Sequence, residues 1–200
     1  GNLMSELVVG VTGASGTLFA REFIRCVLTV PQVSRLHVIV SRFALQTLRA
    51  ELGQAGTTEE GARRELAGDP SPRVLFHQPE NMAAPVSSGS YPTGGMVIIP
   101  CSMGTLGAIA SGLSTNLIQR SADVTLKERR PLILAVREAP LNRIHLKNLL
   151  AASEAGAVIY PLVPALYTRP KNIEEILEQT AARILDQIPL PHSLGRRWGA

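Results

Sequence analysis

Five stretches of this 200-residue chain hold glycine, hydroxyl and charged residues at spacings that chemistry can use. Gly10-Val11-Thr12-Gly13-Ala14-Ser15-Gly16 closes an apolar run and passes straight into a helical pattern. Glycines let a backbone turn tightly and approach a phosphate, and the N–H groups at a helix start supply donors to an anion. Ser15 adds a hydroxyl, although a purely structural turn would use the same glycines. The spacing is not a full GxGxxG, and the second apolar run ends in Ser41 rather than an acidic residue. Both features argue against an adenine dinucleotide and for a mononucleotide, whose phosphate or ribitol a serine suits. Pro100-Cys101-Ser102-Met103-Gly104-Thr105-Leu106 repeats the arrangement after a later apolar run. Ser102 is a natural helix N-cap, and with Thr105 it also offers hydrogen bonds to a planar ligand. Arg120 and Lys127 are seven apart, so they share one helical face, either as a solvated surface with Glu128 or as an anion site. Arg137-Glu138 follows an apolar run directly, at the strand end where α/β proteins bind ligands. Tyr167 sits in a turn bounded by Pro164 and Pro170, and Arg183 lies on the last helical pattern.

The elements that must position these residues alternate along the chain. Strands read at 7–11, 36–40, 73–76, 96–100, 132–136 and 157–160. Helices read at 16–29, from 41 to about Glu51, from about Gly104, at 114–128, at 142–155 and at 173–188. Residues 53–72, rich in glycine and charge, read as an excursion, and 79–95 as a long loop, which in a compact domain is disordered or functional. Continuously apolar strands separated by helices predict an α/β fold with a doubly wound, mainly parallel sheet, covered on both faces and binding ligands beyond the strands' carboxyl ends.

Composition narrows the classes. Residues 1–200 fit a single domain, with 189–200 as a tail and Gly1-Asn2-Leu3 ahead of Met4 as a tag remnant. The net charge of +4 suits an anionic small ligand, and the basic stretches are too short and too poor in aromatics for nucleic acid. Cys26 and Cys101 match no metal spacing and are expected reduced, as in a cytoplasmic protein. His37, His77, His145 and His192 are scattered without ligand spacing, so no metal is expected. No apolar run approaches the roughly 20 residues of a membrane helix, and no signal peptide opens the chain. At 45% hydrophobic, the chain has apolar surface to spare for other subunits.

Taken in order, Gly13-Ala14-Ser15-Gly16, the 100–105 block, Leu126-Lys127-Glu128-Arg129-Arg130-Pro131-Leu132, Arg137-Glu138-Ala139-Pro140-Leu141 and Pro164-Ala165-Leu166-Tyr167 resemble the UbiX-type flavin prenyltransferases, formerly labelled phenylacrylic acid or polyprenyl-hydroxybenzoate decarboxylases. The match runs from about Glu6 to Asp186. The resemblance implies a flavodoxin-like Rossmann fold, reduced FMN as prenyl acceptor, and dimethylallyl phosphate as donor without a metal. It implies transfer to N5 and C6 of the flavin, a homododecamer with inter-subunit sites, and delivery of prenylated FMN to a UbiD-type decarboxylase. Residue by residue, it assigns Gly13, Ala14, Ser15, Ser41, Ser102, Met103, Gly104, Thr105 and Arg137 to FMN. Tyr91, Arg120, Lys127, Tyr167 and Arg183 fall to the prenyl donor. Glu51, Glu138, Lys127 and Tyr167 fall to catalysis, with Glu138 as the acid for the leaving phosphate. Leu166 departs from the family, which commonly has phenylalanine there. The alternatives are an FMN-dependent cysteine-type decarboxylase, whose histidine is missing from residues 16–30, and a non-catalytic flavin carrier, which has no need of Lys127, Tyr167 and Arg183 together.

Overall fold

The computed structural model describes residues 4–53 and 58–199; residues 1–3, expected above to be a tag remnant, part of the excursion at 54–57, and Ala200 lie outside the described residues. Six strands form the sheet: β1 Ser5–Val11, β2 Val33–Val40, β3 Val74–His77, β4 Gly95–Cys101, β5 Leu132–Val136 and β6 Val158–Pro161. Their order is β3-β2-β1-β4-β5-β6 and every neighbouring pair is parallel. Without the edge strand β3 the order reads 2-1-3-4-5, which is the flavodoxin-like winding, and its direction reverses between β1 and β4. That switch point opens a crevice at the carboxyl ends of both strands.

The strands alternate their side chains between two cores. Val9, Val11, Leu36, Val38, Val97 and Ile99 pack under helices α1 (Thr17–Leu28), α2 (Arg42–Leu52), α3 (Glu59–Ala67) and α7 (Ile173–Leu185). Val8, Ile39, Met96, Ile98, Leu132 and Leu134 pack under α4 (Met103–Ala110), α5 (Leu117–Lys127) and α6 (Arg143–Glu154). Each such side chain contributes about 1.5–3 kcal/mol when fully buried, against about 0–1 kcal/mol for an exposed pair such as Arg42–Glu80. The two cores, rather than surface charge, therefore hold the rim in place. Gly10 lets α5 come close, since a Cβ there would stand 3.1 Å from Ile118 Cγ2. Cys26 and Cys101 are free and buried, and burial is the main cause that pushes each thiol up to about 12.

Two segments differ from what the sequence predicts. The excursion contains α3, whose apolar residues Ala62 and Leu66 are too few to raise a helical period. Its start was nonetheless marked: Thr58 accepts from Gly61 N–H, and Glu59 and Glu60 fill the first turn. The 79–95 loop is ordered around a 3-10 turn at Pro85–Ser87. Arg120 donates to Ser87 O at 3.0 Å, and Arg130 donates to Tyr91 O and Gly89 O at 2.9 and 2.7 Å.

Candidate active site

Thr12 welds the two sides of the switch point together. Its buried hydroxyl donates to Pro100 O at 2.6 Å and accepts from Ser102 N–H at 2.8 Å, so the loops after β1 and β4 cannot separate. Beyond it, Gly13 and Ser15 are exposed on the crevice side of the turn. A Cβ on Gly13 would lie 2.6 Å from Phe43 Cβ, so only glycine allows the turn to rest on α2. Gly16 takes φ 116 to start α1, and its N–H donates to the Glu51 carboxylate at 2.9 Å and, less closely, 3.2 Å. Glu51 thus reaches the positive end of α1 from the last turn of α2. Ser41 caps α2 by accepting from Ala44 N–H at 3.1 Å.

On the β4 side Ser102 caps α4, accepting from Thr105 N–H at 3.2 Å and donating to Thr105 Oγ1 at 3.0 Å. The N-cap expected of Ser102 is thus present, and it fixes the hydroxyl at the start of α4. Met103, Arg137, Glu138, Leu141, Leu149 and Leu162 line a cleft of about 220 Å³. Arg137 and Glu138 are exposed at the end of β5, and Glu138 Oε1 accepts from Ala139 N–H at 3.2 Å. In one chain the rim thus collects Gly13, Ala14, Ser15, Ser41, Glu51, Ser102, Met103, Gly104, Thr105, Arg137 and Glu138.

A second group stands beside β6. Tyr167 meets Trp198 edge to face, with ring centroids 5.3 Å apart. Tyr160 lies among these groups. Burial pushes its phenol up, the Arg183 charge opposes that, and Tyr167 and Asp186 add to the rise. Tyr167 and Arg183 therefore share one electrostatic neighbourhood. The Asp186 carboxyl would be raised by burial, but hydrogen bonds from Arg197 and Arg183 outweigh that and hold it below its ordinary range.

Arg120, Lys127 and Tyr91 lie elsewhere. Lys127 ends α5 just before β5, whereas Arg137 follows β5, so a five-residue strand of about 3.3 Å per residue separates their backbones. Lys127 Nζ pairs with Glu128 at 2.6 Å, and that pair holds the Glu128 carboxyl below its ordinary value. Gly89 packs so closely on this pair that a Cβ would clash with both side chains. Arg120 pairs with Asp123 at 3.0 Å. The Tyr91 hydroxyl is committed to Glu6 near the start of β1, and its ring meets His37 edge-on. Lys127 and Tyr91 thus lie toward the amino ends of the strands, whereas Arg120 stands in the first turn of α5, between Asp123 and Ser87 of the 79–95 loop.

Sequence reasoning passed over Thr12, Phe43 and Asp186. Phe43 is 73% exposed against Gly13, and Asp186 gathers Arg183, Arg197 and His192. Only the hydroxyl in Thr12-Gly13 carried a signal, and it was masked by the glycines around it.

Comparison with known proteins finds relatives along almost the whole chain. A family model described as Flavoprotein matches residues 2–186. The chain is 43% identical over 197 residues to the flavin prenyltransferase UbiX of Salmonella typhimurium, covering 98% of each. It is 41% identical over 193 residues to that of Alkalihalophilus pseudofirmus, covering 96% of each. Among solved structures, AnUbiX (PadA1) in complex with FMN and dimethylallyl pyrophosphate superposes with a TM-score of 0.87 at 40% identity, covering 98% of each chain. The dodecameric FMN-dependent Ubix-like decarboxylase from Escherichia coli O157:H7 gives 0.86 at 39% identity, covering 98% of this chain and 100% of that one. A PPC decarboxylase mutant, at 18% identity and a TM-score of 0.58, shares the fold alone.

Proposed function

The chain belongs to the flavoprotein family, as one of its UbiX-type flavin prenyltransferases, and from that premise we propose that it transfers a dimethylallyl group from dimethylallyl phosphate to reduced FMN. The observation that carries the reading is the crevice in which the Gly13–Gly16 turn, the Ser102–Thr105 cap and Arg137-Glu138 converge, with Tyr167, in the turn after β6, and Arg183, on α7, near Tyr160 of β6. The donor set fits FMN: exposed backbone at Gly13 and Ser15 suits a phosphate, while Ser41, Ser102, Thr105 and Arg137 offer hydrogen bonds to ribitol and ring. When bound and reduced, FMN supplies the nucleophilic N5 and C6.

The chain's own residues would then work on the donor. Tyr167 and Arg183 take the phosphate, whose departure concentrates negative charge that fixed cations stabilise. Glu138 protonates the leaving phosphate, and Glu51 moves protons near the flavin. Arg120 and Lys127 complete the cationic pocket from a second copy of the chain, since within one chain β5 separates Lys127 from Arg137. This makes the active unit a homo-oligomer, as in the dodecameric relative, with sites shared between subunits. The exposed apolar side chains Ile144 and Leu150 on α6, with Leu141, Val163 and Leu166 nearby in the chain, supply contact surface for it. The product is handed to a UbiD-type decarboxylase, and the free, buried cysteines suit a reducing cytoplasm. Among the described residues no helix is long and apolar enough to cross a membrane.

The test is the mass of the flavin after anaerobic incubation of reduced protein with dimethylallyl monophosphate and, separately, diphosphate. A gain of one prenyl unit with either donor is expected. An unchanged flavin mass with both would overturn the reading.

A further inference from the structure

The chain after α7 is fastened far more firmly than a loose tail. Residues 190–199 return over α7 and are tied at three places. Gly195, at φ 76, passes so near the helix that a Cβ would lie 2.7 Å from Ala182 Cβ. Gln179, only 6% exposed, accepts from Arg196 N–H at 2.8 Å and donates to Arg196 O at 3.1 Å, gripping one residue's backbone at both ends. Asp186 then binds two nitrogens of Arg197, one of them at 2.9 Å, and one nitrogen of Arg183. It also lies 2.7 Å from His192 Nε2, although without an aligned hydrogen bond. His192 Nδ1 accepts from Leu194 N–H at 3.2 Å, so a neutral ring carries its proton on Nε2, toward the carboxylate. The His192 side chain is 3% exposed, so this contact is shielded from water.

Two consequences bear on the site. The tie to Arg183 uses Nη1, and a guanidinium has five N–H donors in a fixed fork, so Nε and Nη2 remain for an anion in a set orientation. The tie to Arg197 ends one residue before Trp198, whose ring is held against Tyr167. A surface pair three residues apart on a helix would account for Arg183 alone. Contacts from residues 192 and 197 on the same carboxylate come from beyond the end of α7 and have no helical purpose.

We propose that Asp186 is a positioning residue for the prenyl-donor half of the site: it orients Arg183 and, through Arg197 and His192, clamps the returning chain so that Trp198 stands on Tyr167. The inference rests on the prenyltransferase reading, which gives Tyr167 and Arg183 their ligand.

The chain has one tryptophan, so Trp198 reports its own clamp. In full-length, FMN-loaded Asp186→Asn, time-resolved tryptophan anisotropy should gain a fast local component. The KM for dimethylallyl phosphate should rise about tenfold, the effect of losing one charge-assisted contact, while FMN retention stays unchanged. Asp186→Glu should restore part of both. Arg197→Ala changes an exposed residue of the returning segment and serves as the second variant should Asp186→Asn fail to fold. It should show the same two changes, and where Asp186→Asn folds, combining the two variants should cost little more than either alone, because they share one contact. A Trp198 as rigid as in the parent in both variants overturns the clamp, and a mobile Trp198 with an unchanged KM overturns the positioning role. Should the parent protein make no prenylated flavin, the functional reading falls, while the anisotropy still decides whether Asp186 holds the segment.

Discussion

Glu138 lines the cleft at the end of β5, and one of its oxygens accepts from Ala139 N–H. That single tie fixes the carboxyl's direction and leaves its second oxygen for a ligand, which is what a proton donor to a departing phosphate needs. Glu138→Gln keeps the size and the backbone contact but has no transferable proton. Flavin binding, followed by quenching of FMN fluorescence, should be unaffected in this variant. Prenylation in single turnover should slow by about 10²–10³, the usual effect of removing one such group from a reacting site. Wild-type turnover would remove Glu138 from the chemistry. Thr12 illustrates the opposite case, a buried hydroxyl whose two hydrogen bonds both go to backbone and set where Ser102 can stand.

Helices and strands carry this precision because they meet at very short distances. The Gly13 turn rests directly on the first turn of α2, so Gly13→Ala forces α2 outward and takes Ser41 and Glu51 with it. Calorimetry should show FMN affinity falling by tenfold or more, the effect of about 1.4 kcal/mol, with a smaller change in thermal stability. Midway along β2, His37 Nδ1 lies 2.8 Å from His77 Nε2 and His37 Nε2 lies 2.7 Å from Glu6, all within the β3-β2-β1 edge. One shared proton satisfies the two imidazoles, whereas two would set N–H against N–H. Burial, and then the His37 charge, hold His77 below its ordinary value of 6.5. Below pH 6.5 the unfolded chain therefore binds the proton that the folded chain refuses, so stability falls with pH until the depressed folded value is reached. Glu6 also titrates low in the folded state: burial raises it, but His37 and Tyr91 outweigh that, so its contribution is lost only at more acidic pH. Melting temperatures should drop from pH 7 toward pH 5, and His77→Gln should flatten that slope. An unaltered slope would mean that His77 is not the group responsible.

Over the whole molecule, one chain keeps Lys127 and Arg137 apart, at opposite ends of β5. The crevice lined by Arg137 and Glu138 lies at the carboxyl ends of the strands, and the Lys127–Glu128 pair against Gly89 lies toward the amino ends. Parallel strands make this separation unavoidable, because every crossover helix begins at one end of the sheet and finishes at the opposite one. Mixing inactive Lys127→Ala with inactive Tyr167→Phe during refolding or co-expression should restore prenylation, since a shared site can draw its intact Lys127 and Tyr167 from different chains. If every mixture stays inactive, Lys127 and Tyr167 act within the same chain or not together at all.

The alternation of apolar runs and helical periods by itself determined the doubly wound sheet, because strands buried on both faces must read as continuous apolar stretches. Glycine and hydroxyl residues at the ends of those runs also marked the crevice, since their role is set by the local turn from strand to helix. Residues whose role depends on distant partners were not legible in this way. Nothing next to Asp186 in the chain announces Arg197 or His192, and nothing beside Thr12 announces Pro100. The α3 helix escaped because packing against α1, through contacts such as Arg21–Glu65, rather than its own periodicity, holds it. The split of the cations between two ends of the sheet likewise required the fold, since a helical period places residues on a face but cannot say which end of which strand that face will meet.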